Sequence, residues 1–482
     1  MAPLHSESIE LPKSGRALSE PFGGAQLSSP DSPMSGAIAV RETTNSTGSS
    51  HPSALPHTRD APDDFPEGGY GWVVVLACSV IRFLRRHHSC YQCFFFGGLT
   101  YSWGIVQARL IQSRLANDSQ LSFIGSTAIT LISVAALINV RLIRWLGTRK
   151  ACVLGCFFLG LGPLLNGFAT KSYGGLFVTN GLILGFGTSL TFMACSSLPS
   201  QYFKRRRGLA NGLVFAGNGL GGGVISITLN SLIDRVGIAW AFRILGLSTW
   251  VVAIPAALLL KERTRRNAVT VEWGLFRDPK FVLLFLGSGI ATFPLLVPPF
   301  FIPLYANSVG ASASLASGLL ATFNLASAVG RVGFGVLGDS VGPITALVLA
   351  LTVNALSMLT IWPASSSIAP LVAFIVINGF GSGGFFSLIP SVVGSVYGNT
   401  RTANALAMTV SGWAFGYFLV GPLLPSQGSP VAGWLLQAYG GSSAGRAAFR
   451  PAIYYAGSLA MASAGLIAGM RMLLARKLFM YA

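Results

Sequence analysis

Apolar positions follow one another in long runs along most of this chain, and polar positions gather in the short stretches between the runs. A run of about 20 apolar residues lets a helix cross the hydrocarbon core of a bilayer. The pattern predicts an all-α membrane protein with twelve such helices, numbered here as spans 1 to 12: 72–106 (interrupted), 120–143, 150–170, 174–199, 207–231, 240–261, 279–302, 311–335, 343–363, 370–393, 402–424 and 450–475.

The chain divides into four predicted regions. Residues 1–65 are rich in Ser, Pro, Gly and Thr and lack hydrophobic periodicity, which predicts a disordered cytosolic tail. A first group of six helices occupies 66–261, a central cytosolic loop 262–278, and a second group of six helices with a short cytosolic C-terminus 279–482. We call the two groups the first and second halves.

Composition supports a membrane protein: of 482 residues, 52% are hydrophobic and 10% are charged, against roughly 25% charged in soluble domains. The net charge of +18 comes from the loops that join even spans to the next odd span and from the C-terminus. Eighteen basic residues lie there against seven on the opposite side, which places both termini in the cytosol. The charge therefore reflects topology, and we expect a multi-pass protein of the plasma membrane that binds no nucleic acid.

An internal repeat relates the two halves. The segment from Gly185, "GFGTSLTFMACSSLPSQYFKRRRGLANGLVFAGNG", has a counterpart from Gly379, "GFGSGGFFSLIPSVVGSVYGNTRTANALAMTVSG", about six spans later. In the two copies Arg207, Ala210, Asn211 and Gly219 match Arg401, Ala403, Asn404 and Gly412. Chance matching of small residues in Gly-rich helices is the alternative. Two parallel six-helix halves are the architecture of major facilitator transporters, which place the substrate site between the halves.

A loop motif follows span 8. "GVLGDSVG" supplies Gly335, Asp339 and Gly342 at the turn into span 9, and resembles the major facilitator loop in which an acid latches the inner gate. The matching loop of the first half, "RWLGTRK", has Arg144 where the acid is expected. Each loop alone is equally compatible with a polar turn.

A family resemblance rests on two longer motifs. "PEGGYGWVVV" (Pro66 to Val75) and "YFKRRRGLANGLVFAGNGLGG" (Tyr202 to Gly222) resemble motifs of the monocarboxylate porters, and the wording is closest to the fungal branch of that family. The resemblance implies a major facilitator fold and a secondary transporter. In animal members the transporter is often a proton symporter of carboxylates, and in fungal members the substrates are more diverse.

The motifs supply a predicted set of gating and coupling residues. Glu67 is expected to pair with the inner basic run and is the candidate proton carrier, glycines allow close helix packing, and Trp72 anchors the interface. A solvated acid beside an aromatic belt is the alternative. The complete set is Glu67, Gly68, Gly69, Gly71, Trp72, Arg207 and Asp339.

Arg331 is the one basic residue deep in an otherwise uncharged span. An ionisable group inside a membrane segment is a functional hypothesis by default, and in animal family members an arginine at this place binds the substrate carboxylate. The alternative is that Arg331 turns to the inner face to pair with Asp339. Two departures from the animal pattern weaken carboxylate specificity: Ser327 replaces an acid, and span 1 lacks the lysine. The other predicted lining residues are Asn324, Tyr101, Trp103, Phe385 and Phe386.

Residues 82–93 interrupt span 1 with three arginines and two histidines, and their removal leaves an apolar span of the right length. We interpret the interruption as a fault of the gene model. The alternative is a metal clip of His87, His88, Cys90 and Cys93, whose spacing is too short for an ordinary zinc site. The sequence predicts no metal and no cofactor.

The expected function is secondary active transport of a small organic solute, a monocarboxylate or related organic anion, with protons as the candidate coupling ion. Two alternatives stay open: an exporter of a fungal secondary metabolite, and a nutrient sensor that does not transport. An enzyme is not expected, because no nucleophile–base pair lies within the spans. The expected partners are the small-molecule substrate, protons and the lipid bilayer.

Overall fold

The computed structural model of the chain describes Val75 and residues 92–113, 115–116, 118–260, 272–418, 432, 435–436, 438–441 and 445–474. The described residues form helices joined by short connections, and no β-strand occurs among them. The predicted tail 1–65 lies outside the described residues, as do residues 261–271 of the central loop.

The helices occupy the predicted positions. In the first half the helices are Gln92–Tyr101 and Trp103–Gln112 (span 1), Asp118–Val134 and Ala136–Leu146 (span 2), Thr148–Ala169 (span 3), Tyr173–Leu176, the π-helix Phe177–Leu184 and Gly185–Ser197 (span 4), the short helix Pro199–Tyr202 before span 5, and Arg207–Leu258 (spans 5 and 6). In the second half they are Pro279–Leu295 and Val297–Ser308 (span 7), Ala313–Val341 (span 8), Pro343–Leu356, the π-helix Ser357–Ile361 and Trp362–Ala364 (span 9), Ile368–Phe418 (spans 10 and 11), and Arg450–Leu474 (span 12).

Two of these helices are each long enough for two spans. The 52 residues of Arg207–Leu258 would measure about 78 Å as one straight helix, more than twice the roughly 30 Å of the hydrocarbon core. Non-helical glycines break both helices, at Gly237 with φ of 79° and at Gly398 with φ of 72°. Glycine adopts such positive φ values without steric strain. Within the described residues, eight helices are long and apolar enough to cross a membrane, or nine counting the bent pair of span 2. With these two double helices and the partly described span 1, the layout is consistent with twelve spans.

The two halves are joined along spans 5 and 8. A Cβ added to Gly208, Gly212 or Gly219 of span 5 would lie less than 3.0 Å from backbone atoms of span 8. Membrane helices associate through such small residues because glycine lets the backbones approach closely. This contact sets the distance between the halves at the level of Arg331, because a Cβ added to Gly212 would collide with the main-chain carbonyl of Arg331.

Buried asparagine pairs occur at corresponding places in the two halves. Asn166 Nδ2 in span 3 donates to Asn180 Oδ1 in span 4 over 2.9 Å, and Asn378 Nδ2 in span 10 donates to Asn354 Oδ1 in span 9 over 2.6 Å. All four residues are buried. The third and fourth helices of each half are therefore joined in the same way, which supports the repeat that the sequence predicts.

Candidate functional site

The site is built around Arg331, which lies in the middle part of span 8 and is 2% exposed. Its Nη1 donates a hydrogen bond of 2.6 Å to the main-chain carbonyl of Phe215 in span 5. Its Nη2 lies 3.4 Å from the hydroxyl oxygen of Tyr101 in span 1. The guanidinium of a second-half residue is thus held by two groups of the first half.

Aromatic rings from both halves flank the guanidinium. Arg331 Cζ lies 6.0 Å from the ring centroid of Tyr101 and 5.6 Å from that of Phe386 in span 10. Both rings are partly exposed, whereas the arginine is buried. A cation within about 6 Å of an aromatic face is attracted by the ring quadrupole, so these contacts hold the charge at the boundary between the halves.

The charge of Arg331 has no counterion among the residues that the structure describes. Its Nε has no hydrogen-bond partner among them either. The alternative pairing with Asp339 does not occur, because the Asp339 carboxylate accepts hydrogen bonds from the backbone of span 5 and forms none with Arg331. The arginine therefore combines a buried positive charge with a free donor.

An aromatic cluster continues from Phe386 across the boundary between the halves. The Trp413 ring centroid in span 11 lies 6.0 Å from that of Phe386, 5.2 Å from that of Phe385 and 5.9 Å from that of Phe192 in span 4. Phe192 also lies 5.9 Å from Phe96. The cluster joins residues of the first half to residues of the second through Trp413.

Trp413 is 1% exposed, and its indole Nε1 has no hydrogen-bond partner among the described residues. Buried polar groups are almost always hydrogen-bonded. An unpaired buried donor therefore marks a place where a partner is expected.

The other predicted lining residues lie at different places. Asn324 is buried at the contact of spans 5 and 8, beside Gly222, and its Nδ2 lacks a partner among the described residues. Trp103 donates its indole N–H to the Leu121 carbonyl over 3.0 Å, a contact within the first half. Phe385 is buried against Trp413, on the far side of Phe386 from solvent. Of the predicted set, the structure brings Tyr101 and Phe386 to Arg331.

One end of the bundle, which we call the basic face, carries the connections between spans 2 and 3, 4 and 5, and 8 and 9. There Asp339 accepts from the backbone N–H groups of Gly208 and Leu209, at 2.6 and 2.8 Å. These are the first residues of a helix that begins at Arg207. An acid at a helix N-terminus interacts favourably with the helix dipole. Asp339 thus fastens span 8 to span 5 between the two halves.

Other polar contacts cross between the halves at the basic face. Arg144 Nη2 donates to Asn404 Oδ1 over 2.8 Å, and Asn211 Nδ2 donates to Ser391 Oγ over 2.9 Å. Asn211 and Asn404 are matching positions of the sequence repeat. The side chain of Arg207 is buried against Gly394 of span 10. The halves are therefore closed against each other on this face.

Several predictions fall on residues that the structure does not describe. Glu67, Gly68, Gly69, Gly71 and Trp72 lie outside the described residues, and so do His87, His88 and Cys90 of the interruption. Cys93 is described, and it is buried and free. Within the described residues no cluster of metal-ligating side chains occurs.

Two components of the site were not predicted from the sequence. The Phe215 carbonyl is a main-chain group, and no residue type indicates which carbonyl an arginine will bind. Trp413 stands in "MTVSGWAFG", where a tryptophan in an apolar helix is ordinary. Its place directly after Gly412 was the available signal, because the repeat matches Gly412 to Gly219, which lies at the contact of spans 5 and 8.

Comparisons with known proteins agree with this fold. The model of the family described as Major Facilitator Superfamily matches residues 89–420. The solved structure of a Major Facilitator Superfamily transporter, FucP, in the outward conformation superposes with a TM-score of 0.55 at 15% identity, covering 78% of this chain and 98% of that one. At that identity the likeness concerns the fold.

Relatives include fungal and animal transporters. The MFS-type transporter pynF of Aspergillus niger is 28% identical, over 76% of this chain and 82% of its own. The aspyridones efflux protein apdF of Emericella nidulans is 28% identical, over 84% of this chain and 79% of its own. Monocarboxylate transporter 13 of Rattus norvegicus is 29% identical, over 79% of this chain and 85% of its own.

Proposed function

This chain belongs to the Major Facilitator Superfamily and is a membrane transporter, and we propose that its substrate is an organic anion whose negative group binds Arg331. The proposal concerns the substrate, the direction of transport and the coupling. It assigns a binding site with named contacts to the substrate class predicted from the sequence, a monocarboxylate or related organic anion.

The observation that carries the proposal is the buried guanidinium, which has no counterion among the described residues. Removing a charge from water costs several kcal/mol per ion, and a charged residue in a membrane span is retained where it has a function. Arg331 meets one carbonyl, one hydroxyl and two rings, none of which carries a negative charge. A carboxylate or comparable anion would supply that charge and occupy the free Nε.

The position of Arg331 suits alternating access. Its contacts join the halves through Tyr101 and Phe215, so an anion that competes for the guanidinium changes the contact between the halves. The latch of Asp339 and the bonds of Arg144 and Asn211 close the basic face. We assign that face to the cytosol from its positive charge, at the plasma membrane, with protons and Glu67 as the candidate coupling route.

Export of a secondary metabolite is the second candidate. It is supported by the fungal relatives, one of which is described as an efflux protein for aspyridones. The aromatic cluster beside Arg331 also favours a substrate with a larger apolar body than a short aliphatic acid. The two candidates share the anion site and differ in direction and substrate size.

Transport by the full-length chain in proteoliposomes tests the proposal, with labelled pyruvate, benzoate and 4-isopropylbenzoate in both orientations. Arg331→Leu should reduce the flux of the transported anion more than about 100-fold, because it removes the partner of a buried charge. The matched control is Arg243→Leu: Arg243 also lies over aromatic rings and binds a carbonyl, but within the first half.

Flux that survives Arg331→Leu would contradict the anion site. Arg331-dependent binding of an anion without flux in either direction would favour the nutrient sensor. The direction that gives the higher flux separates uptake from export.

A further inference from the structure

Trp413 has an unpaired donor beside the anion site, and no step of the proposed transport uses it. Its indole N–H lacks a partner among the described residues although the side chain is 1% exposed. Trp103 and Trp250 donate to the carbonyls of Leu121 and Phe157, whereas the buried Trp362 also lacks a partner for its indole N–H among the described residues. Trp413 differs from Trp362 in its place: Trp362 packs on Tyr305 and Phe374 within the second half, whereas Trp413 contacts Phe192 of the first half and Phe386 beside Arg331.

Phe386 connects this donor to Arg331. The Phe386 ring centroid lies 5.6 Å from Arg331 Cζ on one side and 6.0 Å from the Trp413 ring centroid on the other. A flat molecule that lies on Phe386 with its acidic group at the guanidinium would extend toward the indole. Tyr101 stands over the same guanidinium from the first half, so the space beside Arg331 is bounded by rings from both halves.

The neighbours of Trp413 explain how the donor becomes reachable. Phe192 of the first half packs against it, and so do Phe385 and Phe386 of the second half. Movement of the halves relative to each other would separate Phe192 from Trp413, whereas Phe385 and Phe386 would move with it. The indole would then be uncovered at the boundary between the halves.

We propose that Trp413 is a second polar anchor of the substrate, and that the transported class is a planar, conjugated organic anion with a hydrogen-bond acceptor remote from its acidic group. This inference rests on the proposed function, because Arg331 holds the acidic end. Planarity follows from the rings of Tyr101 and Phe386, whose centroids lie 6.0 and 5.6 Å from Arg331 Cζ, since flat π-systems stack on aromatic faces. The remote acceptor follows from the free indole N–H.

Two matched probes test the acceptor: 4-acetylbenzoate and 4-isopropylbenzoate, which share the ring, the charge and the number of non-hydrogen atoms, and of which only the first carries a ketone oxygen. Equilibrium binding to the purified full-length protein should favour the acetyl compound about tenfold, because the ketone satisfies a buried donor. Trp413→Phe keeps an aromatic ring and removes the N–H. We expect it to abolish the preference while changing the affinity for 4-isopropylbenzoate less than about threefold.

Trp250→Phe is the control, since Trp250 already donates to a carbonyl at a distance from the site. It should leave the preference intact. A third probe, 4-isopropylcyclohexanecarboxylate, tests planarity and should bind about tenfold more weakly than the benzoate.

The binding measurements distinguish a failure of the Trp413 anchor from a failure of the proposed function. Equal binding of the acetyl and isopropyl compounds, with both lost in Arg331→Leu, would overturn the second anchor and leave the proposed function standing. A preference that persists in Trp413→Phe would assign the acceptor to another group. Binding of neither acid, or binding independent of Arg331, would overturn the proposed function itself.

Discussion

Arg331 forms contacts with three other spans at once: span 5 through the Phe215 carbonyl, span 1 through Tyr101, and span 10 through Phe386. A main-chain carbonyl and two rings orient the guanidinium without neutralising it. Its Nε has no hydrogen-bond partner among the described residues. The side chain thereby connects the two halves, and under the proposed function it would also bind the substrate.

Gly212 is required for this geometry, because a Cβ there would meet the Arg331 carbonyl at less than 3.0 Å. We expect Gly212→Ala to destabilise the protein by about 1–3 kcal/mol, as overpacking does in well-packed interiors, and to lower the thermal midpoint in detergent. Gly318→Ala in span 8 is the matched control, since its added Cβ would meet nothing within 4 Å. Equal midpoints for the two variants would show that spans 5 and 8 are not closely packed at this level.

The sequence identifies the members of this site with different precision: Arg331 clearly, and Tyr101 and Phe386 only as candidates among other aromatic residues. A lone charge in an apolar span is an unambiguous signal, and the structure places Arg331 at the boundary between the halves. Tyr101 and Phe386 were two of several aromatic candidates, and the sequence does not state which face of a buried helix points inward. Trp103, two residues from Tyr101, illustrates the limit, because it packs on span 2 instead.

At the scale of elements, two side chains of opposite charge join the halves at the basic face. An acid, Asp339, accepts from the N-terminus of span 5, whereas a base, Arg144, donates to Asn404 near the N-terminus of span 11. The sequence predicted that the first-half loop had lost its latch. The structure shows that Arg144 still bridges the halves, with the polarity of the bond reversed because the partner is an asparagine oxygen.

Asp339→Asn should weaken the closed basic face, since an amide can accept from only one of the two N–H groups and carries no charge for the helix dipole. A cysteine replacing Ser391, in a background without native cysteines, should then react with a membrane-impermeant maleimide at least about fivefold faster. Asp278→Asn is the control: Asp278 caps a helix within the second half by accepting from Lys280. Equal labelling in both variants would mean that Asp339 does not hold the gate.

The layout of helices could be predicted because apolar length is a simple physical requirement of a bilayer. The connections between spans were less predictable: a single non-helical residue, Gly237, separates spans 5 and 6, and Gly398 separates spans 10 and 11 in the same way. The buried pairs Asn166–Asn180 and Asn354–Asn378 were also missed. Their spacing differs between the halves, so the comparison of short segments did not align them.

For the whole molecule, the closed basic face, the bound guanidinium and the aromatic cluster form one connected system. Arg331 contacts the first half at Tyr101 and Phe215, Trp413 contacts it at Phe192, and Asp339 contacts it at Gly208. A substrate that binds Arg331 therefore acts on the same boundary that the latches close. A ligand shifts such an equilibrium only by its difference in affinity for the two states. Under the proposals above, Arg331 and Trp413, which each have a donor without a partner among the described residues, would provide that difference.

The most direct test of the central claim is a comparison of an acid with its neutral amide. Binding of 4-isopropylbenzoate and 4-isopropylbenzamide would be measured on the full-length protein and on Arg331→Leu, with Arg243→Leu as control. If the buried charge of Arg331 needs a counterion, the acid binds more than about 100-fold more tightly than the amide. We also expect that Arg331→Leu abolishes this difference and that Arg243→Leu does not. Equal binding of acid and amide to the unaltered protein, or a preference for the acid that survives Arg331→Leu, would contradict the claim that Arg331 receives the negative group of the substrate.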